Sequence, residues 1–380
     1  MQVTSIESAA ELESLASDWR RLAKGHPFLG PEWLLAWWRH VGSLSAQGSR
    51  PPQLATLAVH DEQGKLAAVV PWYLEHSLLA GRTLRFLGSG DVCSDYLSIA
   101  CQSGVQESVL AAIASWLSEN HGRDSAAGWD LIALEAVDLT DPLIQGLIAA
   151  LEARGAITST RPAGNCWRIA LPSTWEDYLM QLSKTNRKRA RRLDRNYLQT
   201  GRARLHRVTA PDQLAEGYRL LVDLHTRRWT ARGEKGIFAE PGIYDFHREA
   251  LEGLLATGHL RLSWLTIDEQ PAAAEYCLTD GHVVYSYQSG LDPALISHEP
   301  GVLMLVATVQ DIIECGYTGL DFLRGDEAYK LDWRSVQRPI HDVRILPGNW
   351  PGHLRQSLWQ AATSAKDWLR AGRDAVLQSP

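Results

Sequence analysis

The sequence predicts an α/β chain of two similar mixed-sheet domains in tandem, followed by a C-terminal helix. Three observations carry that expectation. The chain has 380 residues, enough for two domains at roughly 150 residues each. The order hairpin, further strand, helix, short apolar strand occurs twice along it. The turn tripeptide Asp-Glu-Gln stands at the same place in both hairpins, at 61–63 and at 268–270.

The elements follow in order. Residues 54–75 alternate as a strand, turn at 61–64 and continue through the apolar stretch 66–71. A helical segment at 109–120 and an apolar strand at 129–134 come next. The second copy has a strand at 260–267, a turn at 268–270, a return strand from Pro271 and a further strand at 283–288. A helix at 302–316 and a strand at 319–323 complete it. Two copies mean tandem domains, whereas a solenoid needs three or more. Pro, Gly and Asn cluster at 162–172, so the boundary is expected there. The expected division is 1–165, 166–350 and a helix over 351–380. In the last, Leu354, Leu358, Ala361, Ala362, Ala365 and Leu369 fall at helical spacing.

Composition excludes several classes. With 45% hydrophobic and 22% charged residues, the chain matches a globular protein rather than a disordered tail, a collagen or a long coiled coil. The apolar run 302–307, which no other run exceeds, has six residues, far short of the roughly 20 a membrane-spanning helix needs. No integral membrane contact is expected. Residues 1–15 carry Glu7, Glu11 and Glu13 and lack a basic flank and an apolar core, unlike a secretory signal. A cytoplasmic location is therefore expected. Cys93, Cys101, Cys166, Cys277 and Cys315 are scattered and form no C-x-x-C pair, so reduced and mostly buried thiols are expected. No H-E-x-x-H pattern occurs, and no metal is expected. The net charge of −6 argues against general nucleic-acid binding. Fifteen Trp stand against five Phe. Core packing accounts for most of them better than exposed platforms do.

Three segments carry possible chemistry. After the strand at 283–288 comes a loop with Gly290, Asp292 and Pro293, and then Pro300-Gly301 opens a helix. A helix N-terminus behind a strand end can hold an anion on its unpaired N–H groups. Tyr287, Gln288, Pro300, Gly301, Val302 and Leu303 are the cofactor-binding candidates. An ordinary helix start without a ligand fits the same residues equally well. The second segment, 184–195, holds seven basic residues and one acid, a local charge of +6 in an acidic protein. Lys184, Lys188 and Arg192 share one helical face, and Arg187, Arg191 and Arg195 the next. Arg187 and Arg191 are candidates for an acidic or phosphorylated substrate, against a solvated face paired to acids elsewhere. The third segment is 321–330. Asp321 follows an apolar strand residue, and Arg324, Asp326 and Glu327 surround Gly325 just past the strand end, where ligands gather in open α/β sheets. Asp321, Asp326, Glu327, Tyr329 and Lys330 are the catalytic candidates, the acids as general base and Tyr329 or Lys330 as proton or oxyanion donor. The alternative is a salt-bridge knot of Arg324 with Glu327 and Asp326 with Lys330. Gly88-Ser89-Gly90-Asp91 lacks the P-loop lysine and no G-x-S-x-G elbow exists. That stretch reads as a loop of the first domain, with Asp95 and Tyr96 toward the cleft between domains. His225 and His247 read as structural.

A family resemblance rests on these residues. Leu224-His225 with Arg228-Trp229, Tyr287-Gln288-Ser289-Gly290 with Asp292-Pro293, Pro300-Gly301, and above all the run from Asp321 to Lys330 with Trp333 resemble the GNAT-type acyltransferases of the CelD/BcsL group. That group is associated with cellulose and exopolysaccharide synthesis and is related in architecture to the FemAB peptidyltransferases. Residues 183–192 and Pro31-Glu32-Trp33 are similar as well. The resemblance implies two GNAT-like domains in tandem, acetyl-CoA or another acyl-CoA as co-substrate, and Arg228, Trp229, Arg324 and Trp333 near the substrate. Acetyl-CoA-dependent members of the wider superfamily carry Arg/Gln-x-x-Gly-x-Gly/Ala at the phosphate loop. Here His298 and Leu303 stand at the flanking places and only Gly301 matches.

The leading expectation is an N- or O-acyltransferase acting on a sugar, an exopolysaccharide precursor or another polar metabolite, by direct attack. A FemAB-like aminoacyl transfer from charged tRNA is the second, although no long inserted helical arm is present. The third is a non-catalytic relative that binds a nucleotide, a glycan or a partner in the cleft between its domains.

Overall fold

The structure is a computed structural model, and it describes residues 1–44, 50–77, 80–90, 92–122, 128–349 and 352. The expected C-terminal helix lies outside the described residues, apart from Gly352. The first half runs β1 (Gln2–Ile6), α1 (Ala9–Ser14), α2 (Ala16–Ala23), α3 (Pro31–His40), β2 (Arg50–Leu54), β3 (Thr56–His60), β4 (Leu66–Val70), β5 (Trp72–Ser77), β6 (Gly81–Phe86), β7 (Ala100–Cys101), α4 (Gln106–Asn120), β8 (Leu131–Val137), α5 (Pro142–Glu152) and β9 (Ile157–Ala170). The second runs α6 (Trp175–Gln181), α7 (Lys184–Leu193), β10 (Ala203–Arg207), α8 (Pro211–Thr230), α9 (Ile243–Ala256), β11 (Leu260–Ile267), β12 (Gln270–Thr279), β13 (Val283–Leu291), α10 (Pro300–Glu314), β14 (Gly319–Arg324), α11 (Tyr329–Asp332) and β15 (Val336–Leu346).

The expected repeat is present. β3 and β4 form an antiparallel hairpin, as do β11 and β12. In each half a long helix then leads into a strand that pairs in parallel: β8 on β6 after α4, and β14 on β13 after α10. A parallel pair needs such a crossover, because a tight turn can only reverse the chain. α10 has Pro300 at its first turn, and Gly316 with φ +83 follows its end. Only glycine adopts that conformation without strain.

The halves exchange strands. β15, from the end of the second half, lies between β8 and β9 of the first. β9 in turn pairs with β14 of the second. One sheet of eleven strands therefore runs through both halves, in the order β10-β11-β12-β13-β14-β9-β15-β8-β6-β5-β2, beside a four-stranded sheet β1-β3-β4-β7. The Pro/Gly/Asn cluster at 162–172, where the boundary is expected, begins inside β9. Pro162 and Gly164 sit beside the register shift between β9 and β15, where a strand tolerates them.

Packing joins the halves further. Trp33 of α3 meets Tyr287 of β13 edge to face at 5.1 Å and Phe246 of α9 at 4.8 Å, and Phe28 packs against Tyr285. Such pairs add about 0.5–1.5 kcal/mol each to the area they bury. Trp19, Trp33, Trp72 and Trp129 are fully buried, as core packing requires. The five cysteines are thiols rather than disulfides, with Cys101, Cys166 and Cys277 buried, Cys93 half-buried and Cys315 exposed. No helix among the described residues is long and apolar enough to cross a membrane.

Candidate active site

A cavity of about 440 Å³ opens between β13, β14 and the start of α10. Its shape begins with a bulge. Tyr276 pairs with Gln288 and Cys277 with Ser286, so Tyr287 is an extra residue in β13. A strand alternates its faces, and one extra residue shifts the alternation. Ser286 and Ser289 therefore both face the cavity, while Tyr287 and Gln288 are absent from its wall. The Tyr287 hydroxyl instead donates to the Val92 carbonyl of the first half at 2.6 Å. Gly290 serves packing: a Cβ there would overlap the backbone of α8 at Leu224 and His225.

The start of α10 forms the next wall, through Pro300, Gly301 and Val302. The first residue-to-residue bond of the helix runs from Leu303 N to Glu299 O at 2.9 Å, and no side chain caps the helix. Among the described residues nothing accepts from the N–H of Gly301 or Val302. A Cβ on Gly301 would meet only Leu291, at 3.5 Å, an ordinary contact. Packing does not demand glycine there, and its absence of a side chain keeps the wall at backbone thickness. Leu303 points into the core instead and is fully buried. Glu299 sits in the left-handed region at φ +57, and its carboxylate accepts from Arg189 and Arg192 of α7.

Three polar groups converge on the cavity. Glu275 of β12 is 7% exposed, and its two oxygens accept from Ser286 Oγ at 2.6 Å and Thr308 Oγ1 at 2.8 Å. Arg228 of α8 donates to Ser289 Oγ at 3.0 Å, while its buried Nε has no partner. Burial, and then the charge of Arg232, lower its pKa. Tyr329 of α11 packs edge-on against Phe322. The residue is 46% exposed overall, but desolvation of its phenol, with Glu327 and Glu275 adding in the same direction, pushes it up to about 12. It is therefore protonated at neutral pH. Met304, Leu305, Phe322 and Trp333 supply the apolar lining.

The segment 321–330 divides between structure and site. Asp321 is fully buried, accepting from Tyr96 Oη at 2.8 Å, Arg168 Nε at 2.9 Å and the Leu323 N–H at 2.8 Å. The last bond holds Leu323 at φ +57, an unusual conformation for a bulky residue. Arg324 pairs with Asp95, 2.5 Å from Nε to Oδ1. Asp95 and Tyr96 do face the other half, but they hold it through Arg324 and Asp321 and are absent from the cavity wall. Lys330 is 2% exposed, and its Nζ donates to the carbonyls of Leu323, Arg324 and Gly325 at 3.3, 3.1 and 2.8 Å. It also pairs with Glu327 at 2.8 Å. Asp326 accepts from Asn165 and Trp167 at 3.3 and 3.2 Å. The knot exists, with partners other than those expected. Of the five catalytic candidates only Tyr329 lines the cavity.

The expected basic helix forms as α7. Arg189 lines the cavity, whereas Arg187 turns to Met180 Sδ and Arg191 pairs with Glu176. Trp229 lies under Arg232 and beside His225, outside the wall. Glu275, Ser286, Arg189 and Met304 were not singled out from the sequence. Glu275 carried one signal, a lone acid within the apolar stretch 272–278. Among the described residues no group of three or more His, Cys, Asp or Glu is placed to hold a metal ion.

Comparison with known proteins sets this geometry in context. The chain is similar to the crystal structure of FemX, with 11% identity over 95% of this chain and 99% of that one and a TM-score of 0.62. The C-terminal domain of a putative lysylphosphatidylglycerol synthetase from Agrobacterium fabrum is similar at 11% identity over 93% of this chain and 97% of that one, TM-score 0.52. A conserved protein of unknown function from Bacteroides thetaiotaomicron gives 12% identity, 91% and 100% coverage and a TM-score of 0.52. At such identities the likeness is one of fold. No curated protein matches the chain in sequence. Residues 184–331, which contain every wall of the cavity except Asp332 and Trp333, match the family described as acetyltransferase (GNAT) domain.

Proposed function

We propose that the protein is an acyltransferase that moves an acyl group from acyl-CoA to an amine or hydroxyl of a sugar, a glycan precursor or another polar metabolite. The observation that carries this reading is the open start of α10, with two unpaired N–H groups and a side-chain-free Gly301 on the wall of a cavity that also holds Glu275 and Tyr329. The N–H groups and the helix dipole would hold the donor's phosphates. The acyl chain would lie on Met304, Leu305 and Phe322. Glu275 would take the proton of the attacking amine or hydroxyl, and Tyr329 would return one to the leaving thiolate. Asp326 and Glu327 are absent from the wall and Lys330 is occupied, which leaves these two for the proton transfers. The chain would thus act by direct attack, with no covalent enzyme intermediate.

One observation favours a second reading, aminoacyl transfer from charged tRNA. The carboxylate of Glu299 occupies Arg189 and Arg192 beside the helix start, where it opposes a pyrophosphate. FemX and the C-terminal domain of a putative lysylphosphatidylglycerol synthetase share the fold. The deciding experiment measures the effect of acetyl-CoA on melting temperature and the binding of aminoacyl-tRNA against salt. Stabilisation by acetyl-CoA is the expected result, by roughly 2.7 kcal/mol at a hundredfold excess over Kd. Salt-sensitive tRNA binding without it selects the second reading.

A further inference from the structure

A second cavity, of about 430 Å³, lies between the two halves and shares no wall residue with the first. It is lined from the first half by residues near the ends of α2, β7 and β8, and from the second by the start of β13. Tyr285 lines it while Ser286 lines the acyl cavity. Successive strand residues face opposite sides of a sheet, so the two cavities open on opposite faces.

The polar groups of this cavity fall into two sets. The acids are already occupied. Asp280 accepts from His282 N, Val283 N and Tyr285 Oη at 2.8, 2.7 and 2.7 Å. Asp138 accepts from Thr140 and from Arg338. Asp141 caps α5. The second set lacks partners. Ser98 is 6% exposed and its Oγ makes no hydrogen bond, and neither does the buried Nδ1 of His26. Arg168 spends Nε on Asp321 and lies 5.9 and 5.8 Å from the rings of Tyr96 and Tyr285. Among the described residues its two terminal nitrogens form no hydrogen bond. Burial pushes His26 down to about 4, so its ring is neutral and offers one donor and one acceptor.

Unsatisfied buried polar groups cost roughly 1–3 kcal/mol each and call for a partner. Here two such groups, the Ser98 hydroxyl and the neutral His26 imidazole, share one cavity with the partly exposed guanidinium fork of Arg168. A fork of that kind matches a carboxylate in two-point contact. The wall's three acids offset its cations Lys24, Arg168 and Arg338, which disfavours a dianion such as phosphate. We propose that this cavity binds a small hydroxylated carboxylate, a sugar acid or hydroxy acid, with its carboxylate on Arg168 and its hydroxyls on Ser98 and His26. The site belongs to the inter-half cleft and is independent of the acyl-transfer reading.

The test titrates the full chain with gluconate, with sorbitol as the neutral polyol of the same length and inorganic phosphate as the dianion, followed by ligand-observed NMR. Gluconate is expected to saturate, with sorbitol and phosphate at least about tenfold weaker. Ser98→Ala, which removes a group with no internal partner, is expected to weaken gluconate about fivefold while leaving the melting temperature unchanged, the worth of one hydrogen bond. Arg168→Gln is expected to abolish binding. Should that variant fail to fold, Ser98→Leu, which fills the cavity, provides the same loss. The proposal is overturned if gluconate does not saturate, if sorbitol or phosphate binds as tightly, or if both Ser98 variants bind gluconate like the wild type. Acetyl-CoA affinity, read in parallel, reports on the other cavity alone.

Discussion

Tyr329 and Lys330 are neighbours in sequence and opposite in situation, and their substitutions are expected to separate cleanly. Tyr329→Phe removes only a hydroxyl at the cavity wall. Turnover should fall about a hundredfold with the melting temperature unchanged, as for a lost general acid. Lys330→Met leaves three carbonyls without their donor. It should cost roughly 2–4 kcal/mol of stability, and turnover should decline only with the folded fraction. Parallel denaturant melts and initial rates distinguish the two. Buried histidines give a pH signature at the same scale. Burial lowers His26 and His225 to about 4 and His247 to about 3. Their folded pKa values lie below the unfolded value near 6.5. The stability they contribute is therefore complete above pH 6.5 and is lost as pH falls toward 4 and 3. His247 is fully buried and both ring nitrogens lack partners. His247→Phe should accordingly flatten the fall in urea midpoint between pH 7 and pH 4.5. An unchanged slope would show that the ring is not what titrates.

At the scale of elements, the helix start at Pro300, the strands at 283 and 319 and the two hairpins were legible because Pro position and apolar alternation are local signals. The shared Asp-Glu-Gln was a weaker guide than it looked. At 268–269 both residues take positive φ in a two-residue turn, whereas Asp61 closes a longer loop by accepting from the N–H groups of Gln63 and Lys65. The repeat is carried by strand pairing, which no tripeptide encodes. The β13 bulge was not legible either. It turns Tyr287 and Gln288 off the wall and brings Ser286 and Ser289 onto it, and it depends on register with β12. Glu275 was missed because its role arises only when β12, β13 and α10 meet. A Cβ on Gly290 would overlap the α8 backbone at Leu224 and His225. Gly290→Ala should therefore destabilise by at least about 1–3 kcal/mol, as overpacking does, measurable as a shift in thermal midpoint.

At the scale of the molecule, the exchange of β9 and β15 ties both halves into one sheet. The boundary residues were legible as turn formers, but their place inside a strand was not, because it is set by partners far off in the chain. Unfolding should be one cooperative transition, with calorimetric and van't Hoff enthalpies equal. The Asp95–Arg324 pair spans the halves, and burial raises the Asp95 pKa with Arg324 opposing. Arg324→Ala should cost about 3–5 kcal/mol by leaving that carboxylate buried without a counter-charge. Two separated transitions in the wild type would contradict the shared sheet.

The claim on which the proposed activity depends is that the open start of α10 receives the donor. Calorimetric titration of the wild type and Gly301→Glu with acetyl-CoA tests it most directly. A carboxylate at that position repels phosphate and fills the wall, while packing leaves room for the side chain to begin. The account predicts saturable binding to the wild type, weakened at least about tenfold in the variant, with equal melting temperatures of the two free proteins. Equal affinity of both proteins, or no binding to the wild type, would contradict it.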